Sequence, residues 1–242
     1  MTQTGVASTT QRRGTTAGLA ILAIAQFLLA LDYSIVYIAM PSIGEALTLA
    51  ESSMQWVISG YAVFFAGFLI VGGRAADRFG PRTLFIGGMV LFGVASLAGG
   101  LAQDTPTLLI ARAVQGIAAA ALQPALISLI NTSFSPGKER NRALSVWGTV
   151  GASGLASGVV IGGLLTDFSW RWVFFINLPL AIICAFAAPK LLATGYDPKR
   201  GTTSLNVPRV DSRTPTRSGP QTSLPASTTS ASSRARFSSG PP

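Results

Sequence analysis

The chain has 242 residues, 49% hydrophobic and only 11% charged, with 18 Lys and Arg against 9 Asp and Glu for a net charge of +9. A water-soluble domain carries about 25% charged residues, so this composition excludes an ordinary soluble globule, and its apolar content excludes an ordinary disordered chain. With no His and a single cysteine, Cys184, the sequence has no means of building a His-based zinc site, catalytic triad or proton relay, or an intrachain disulfide.

A short polar start over residues 1–16 is followed by six apolar runs, at 17–40, 55–73, 83–102, 107–131, 143–165 and 172–192. Each is about 19–25 residues long, the length that crosses a hydrocarbon core of ~30 Å as a helix. A membrane β-barrel needs alternating segments of ~10 residues, a period absent here. The pattern predicts an all-α integral membrane domain of six transmembrane helices over 17–192. The first run is not a cleavable leader, because Asp32 and Pro41 stand where small residues would be needed. Thr105-Pro106 and Ser135-Pro136-Gly137 supply turn chemistry between runs.

After residue 192 the character changes. Of the 42 residues from Gly201 to Pro242, 31 are Gly, Ser, Thr, Pro or Arg, a composition that cannot bury enough apolar surface to fold alone. Two readings of 193–242 stay open: a disordered basic tail, or the out-of-frame continuation of a gene whose product should continue.

Basic residues set the orientation. With the N-terminus inside, Arg12, Arg13, Arg74, Arg78, Arg82, Lys138, Arg140 and Arg142 all fall on the inner side, and only Arg171 falls outside. This predicts a multi-pass protein of the cell membrane with both termini cytoplasmic. The positive balance therefore reads as topology and contact with the lipid bilayer, not as nucleic-acid binding. No phosphate-cradling GxxxxGK[ST] occurs, so an ATP-driven pump is not expected, and nothing in the sequence calls for a cofactor or a metal.

Two charges sit inside apolar runs. Asp32 costs ~2.5–3.5 kcal/mol to insert, so it either faces a watery cavity or a partner, where it can gain and lose a proton, or it lies near the outer headgroups. Arg112 shares a helical face with Gln115, Gly116 and Gln123, which points to a cavity lining or an interhelical seam. The alternative is an arginine that snorkels to the headgroups, which a helix starting outside makes hard. The fifth run carries Gly148, Gly151, Gly154, Gly158 and Gly162 at spacings of 3, 3, 4 and 4, a stripe that another backbone can approach. In the loop GGRAADRFGPRTLF, Gly73 and Gly80 permit tight turns, and Asp77 is expected to pair with Arg78 or Arg82 or to cap the next helix.

Together these stretches resemble the major facilitator superfamily. GGRAADRFGPRT is similar to its loop signature, through Gly73, Asp77, Arg78, Gly80 and Arg82. LLIARAVQGIAAA resembles the fourth-helix signature, with Arg112, Gln115 and Gly116, and GLASGVVIGG the fifth-helix antiporter signature, with Gly154, Gly158, Gly162 and Gly163. LDYSIVYIAMPSI and SWRWVFFINLPLAI resemble segments of the 14-helix drug:proton antiporter branch. Val159 stands where that antiporter signature usually has proline, and Pro81 and Arg82 where the loop usually has two basic residues.

The resemblance implies the N-terminal half of a major facilitator fold, built as two three-helix inverted repeats. It implies that Asp32 carries the coupling proton, that Arg112 influences that step, that Asp77 and Arg78 belong to a latch between halves, and that the helix-five glycines line the interface between them. The partners would be protons and a small drug-like molecule exported by alternating access. Such transporters need two halves; this chain supplies one, so a missing C-terminal half or a second copy is expected to complete it. The alternative is a non-transporting membrane fragment or partner subunit. No Ser/His, Cys/His or HExxH arrangement supports an enzyme.

Overall fold

A computed structural model describes residues 16–192; the predicted N-terminal tail up to residue 15 and the polar segment 193–242 lie outside the described residues. Within them the chain forms α1 (Thr16–Ala46), α2 (Glu51–Phe79), α3 (Pro81–Gly100), α4 (Thr105–Ser133), α5 (Lys138–Phe168), α6 (Trp172–Phe175) and α7 (Asn177–Leu191), with no strand among the described residues. Six spans are long and apolar enough to cross a membrane, α6 and α7 together making the sixth.

Several helices run past the apolar limits read from the sequence. α1 continues through Pro41 to Ala46 and α5 begins at Lys138, because a helix goes on closing its backbone hydrogen bonds after its side chains turn polar. The sixth span behaves differently. Pro179 has no N–H for the Phe175 carbonyl and its ring crowds that turn, so the helix breaks at Ile176 and restarts at Asn177. That break positions Asn177 at the centre of the bundle. Between α2 and α3 the connection is Gly80 alone, at φ 86°, a left-handed conformation suited to glycine. Gly73, expected at a turn, lies inside α2.

α1 packs most extensively on α5 and α2 on α4, while α3 joins both α4 and α7. Exchanging the first helix with the fourth, the second with the fifth and the third with the sixth maps α1·α5 onto α2·α4 and α3·α4 onto α1·α7. The packing therefore repeats between two three-helix units. Two arginines obey the same exchange. Arg82, beginning α3, donates to the Pro189 carbonyl near the end of α7, and Arg171, just before α6, donates to the Gly100 carbonyl ending α3 at 2.7 Å. Each guanidinium thus satisfies a carbonyl at the negative end of the other helix.

Lipid is as apolar as leucine, so helices in a membrane associate through close packing rather than hydrophobic exclusion. The α1·α5 seam illustrates this: a Cβ on Gly154 would fall 2.8 Å from the Phe27 carbonyl oxygen, and one on Gly162 would fall 3.1 Å from Ile35 and Ile38. Gly158 meets the Ser34 hydroxyl in the same way, and Gly151 leaves room for the Gln26 amide. Gly148 and Gly163 face open space, so the stripe read from spacing is four glycines deep against α1. On the second seam Gly116 of α4 lies against the Tyr61 carbonyl, and Gly72 of α2 against the Ala120 backbone. Large apolar side chains remain on the outside, such as Ile70, Val160, Leu164 and Phe168.

Two outcomes check this packing. Gly116→Leu, whose Cβ would sit 2.5 Å from a backbone oxygen, is expected to cost at least about 1–3 kcal/mol, whereas Gly163→Leu, facing nothing within 4 Å, stays near zero; thermal unfolding in detergent reads both. Asp104 caps α4 by accepting from the Thr107 N–H at 2.8 Å, and that bond holds its carboxyl below the ordinary value. The cap's contribution is present above the unfolded carboxyl's pKa and fades as pH falls through the lowered folded value. Asp104→Asn should keep the cap while flattening that part of the pH dependence of the melting midpoint, and Asp104→Ala should lose both.

Candidate functional site

The apolar core falls into two clusters. One gathers Ile21 to Leu29 of α1 with Ala118 to Ile130 of α4, and the other Ile35 to Ile43 of α1 with Leu108 of α4. Between them lies a belt of polar groups. Asp32 of α1 and Arg112 of α4 are 0% and 1% exposed and form the one ion pair among the described residues, Arg112 Nη1 to Asp32 Oδ2 at 2.9 Å.

Neutral side chains complete the belt. Asp32 Oδ1 accepts from Asn177 Nδ2 at 2.7 Å and from Gln115 Nε2 at 3.0 Å. Gln115 Nε2 also donates to Ser96 Oγ at 2.8 Å, and its Oε1 accepts from Arg112 Nη1 at 2.9 Å. Arg112 Nε donates to the Val57 carbonyl of α2 at 3.2 Å, and its guanidinium lies 4.5 Å from the Tyr61 ring centroid. Five helices therefore contribute to one net-neutral cluster. The carboxylate has three donors and the guanidinium has a carboxylate, an amide, a carbonyl and an aromatic face, which is how a buried charge pair is kept from being a large liability.

The face read from the sequence of α4 divides in space. Arg112 and Gln115 join Asp32, Gly116 serves the contact with α2, and Gln123 lies two turns on, in a separate open cavity of about 560 Å³ between α1, α2, α4 and α5. Gln26, Tyr33, Tyr61, Phe65 and Trp147 line that cavity with Gln123. Tyr61 belongs to both places, lining the cavity and lying under Arg112.

At the other end, Asp77 and Arg78 are exposed near the end of α2. The expected pairing of Asp77 is not seen: among the described residues it forms no ion pair, and Gly80 precedes α3 with no side-chain cap. Arg78 lies over the Phe79 ring at 5.6 Å, and Arg82 is committed to Pro189. Ser96, Asn177 and Tyr61 were not singled out from the sequence. The available signal was weak: one polar residue in each of three apolar runs, brought together only by folding.

Known proteins share this sequence and fold. Residues 22–237 match the Major Facilitator Superfamily. The chain is 47% identical over 167 residues to a puromycin resistance protein of Streptomyces alboniger, an alignment covering 69% of this chain and 33% of that protein. It is 41% identical over 194 residues to a cephamycin export protein of Amycolatopsis lactamdurans, covering 80% and 40%, and 38% identical over 188 residues to a tetracenomycin C resistance and export protein of Streptomyces glaucescens, covering 77% and 34%. The chain thus spans 33–40% of the length of these relatives. The fold is shared with a peptide transporter, with TM-score 0.65 at 19% identity, covering 74% of this chain and 39% of that one. It is shared equally with a proton:xylose symporter, with TM-score 0.59 at 16% identity, covering 71% and 43%. The chain is a multi-pass membrane protein that belongs to the Major Facilitator Superfamily.

Proposed function

We propose that this six-helix bundle is one half of a proton-coupled exporter of small, drug-like molecules, working by alternating access in the cell membrane with both termini cytoplasmic. The observation that carries the reading is the Asp32–Arg112 pair, buried and closed by Gln115 of α4, Ser96 of α3 and Asn177 of α7. A carboxylate whose protonation weakens its contacts to α4 and α7 can bias how those helices sit. The resistance and export names of relatives at 38–47% identity support the direction and the kind of cargo.

In this mechanism, Asp32 ionised is held by Arg112, Gln115 and Asn177. Protonation removes the charge that Arg112 answers, leaving the guanidinium to Val57, Gln115 and Tyr61. Because Tyr61 also lines the cavity, the change reaches the face along which cargo moves. Asp77 and Arg78, exposed and without an ion-pair partner among the described residues, suit a latch to a second half, and the helix-five glycines suit a seam that slides. The second half, or a second copy, would close the other side of the cavity.

Vesicles carrying the chain test the reading. With a lipophilic drug loaded, an imposed proton gradient should drive its movement, and Asp32→Asn should abolish the dependence on that gradient; unchanged dependence removes Asp32 from coupling. Drug binding without any transport is the outcome expected of a non-transporting membrane partner. A second check is stability. Arg112→Leu strands a buried carboxylate and should cost about 3–5 kcal/mol, while Asp32→Asn with Arg112→Leu together should recover a large part of it, a non-additivity read by paired melts.

A further inference from the structure

Two side-chain amides touch the Asp32 carboxylate, and they are held differently. Gln115 Nε2 donates to Asp32 Oδ1 at 3.0 Å and to Ser96 Oγ at 2.8 Å, while Gln115 Oε1 accepts from Arg112 Nη1 at 2.9 Å. Both ends of that amide are engaged, and turning it over would set its N–H groups against a guanidinium. Asn177 Nδ2 donates to Asp32 Oδ1 at 2.7 Å and reaches Ser96 Oγ at 3.4 Å. Its other end is idle. Asn177 is 0% exposed, yet its Oδ1 is buried with no hydrogen-bond partner among the described residues.

The hydrogen-bonding side chains on the carboxylate are all donors: Arg112 on Oδ2, Gln115 and Asn177 on Oδ1. That set suits an ionised acid. A protonated acid carries an O–H, which in a buried site calls for an acceptor. The belt's acceptors are Gln115 Oε1, Ser96 Oγ, the Val57 carbonyl and Asn177 Oδ1; the first three already accept a bond and the last accepts none. Arg112 of α4 and Tyr61 of α2 are the charged and titratable groups that face this acid from other helices. Elsewhere α3 brings the neutral Ser96, α5 meets α1 here through Gly158, and Cys184 of α7 lies against the Ile21 carbonyl.

The last torsion of an asparagine is broad and roughly two-fold, so the amide can turn over with the backbone in place. Turned, Asn177 offers Oδ1 to the Asp32 O–H and to the Ser96 hydroxyl, and Nδ2 takes the place where Oδ1 stood unpaired. One unpaired atom replaces another, and the acid's proton gains a partner.

We propose that Asn177 is the hydrogen-bond partner of the coupling proton: its amide donates to Asp32 when the acid is ionised and turns over to accept from it when the acid is protonated. This rests on the reading that Asp32 carries that proton, and names the residue that answers it. The proton is taken from water and returned to water, and no other covalent bond changes. Loss of the charge releases Arg112, while the bond to Asn177 is remade in the opposite sense. Protonation thus moves the polar attachment of α1 from α4 to α7.

Infrared difference spectra of the full chain in lipid nanodiscs, acidified minus neutral, provide the test. Asparagine is isotope-labelled at its side-chain carbonyl, and Asn131→Gln, Asn141→Gln and Asn206→Gln leave Asn177 as the one labelled site. Acidification should raise a protonated-carboxyl band that Asp32→Asn removes. With it, the labelled amide band should move to lower frequency, because the carbonyl now accepts hydrogen bonds, and Asp32→Asn should abolish that shift as well. In the unlabelled chain, Asn177→Leu should displace the carboxyl band of Asp32. A carboxyl band accompanied by an amide band that stays in place or moves up overturns the proposal while leaving Asp32 as the proton carrier. Absence of the Asp32 carboxyl band overturns the reading beneath it and the proposal together.

Discussion

A single buried ion pair constrains the whole bundle. Asp32 and Arg112 are carried by α1 and α4, the two helices that begin the repeated units, and meet at 2.9 Å with almost no exposure. A lone charge at the centre of a transmembrane helix costs ~2.5–3.5 kcal/mol on insertion scales, and removing one partner from a buried pair costs about 3–5 kcal/mol. The remaining helices are therefore obliged to bring polar groups to one level. α3 brings Ser96, α2 brings the Val57 carbonyl and the Tyr61 ring, and the sixth span breaks at Ile176 so that Asn177 arrives at its helix start.

The close seams make that convergence geometrically feasible. Polar side chains reach across a bundle only if backbones approach closely, and here they do so where a glycine faces another helix. Gly154, Gly158 and Gly162 bring α5 onto α1, while Gly116 at the Tyr61 carbonyl and Gly72 at the Ala120 backbone bring α2 and α4 together. The same glycine that tightens α2·α4 therefore also places Tyr61 under Arg112. Packing and electrostatics are one device at this point. The reciprocal arginine contacts, Arg82 to Pro189 and Arg171 to Gly100, tie the third and sixth spans end to end and hold Ser96 and Asn177 level.

The bundle's two polar features are chemically distinct. The belt holds a charge pair and is net neutral, whereas the lining of the cavity carries no charged side chain. Tyr61 is the side chain common to both. Charge is thus confined to the belt, the open space beside it has an uncharged lining, and one ring is common to both.

Much of this was legible in the sequence, and the reason is the solvent. A hydrocarbon core demands long apolar helices and penalises every stray charge, so six spans, Asp32, Arg112 and the glycine stripe of α5 stand out from a single chain. Short-range rules also placed Arg112 and Gln115 on one face, because 3.6-residue periodicity is local. What periodicity does not carry is which helix stands opposite. Gln115 and Gln123 share a face of α4, yet one meets Asp32 and the other a cavity, because α1 passes the first and leaves room beside the second. Likewise Ser96 and Asn177 are ordinary polar residues until α3 and the broken sixth span bring them within reach of the same carboxylate and amide. Span count, helical faces and the presence of two buried charges were thus determined by the sequence through local and solvent physics. The pairing of those charges, the neutral residues that close around them and the cavity beside them were decided only by the tertiary structure, since each depends on distances between segments as much as 145 positions apart.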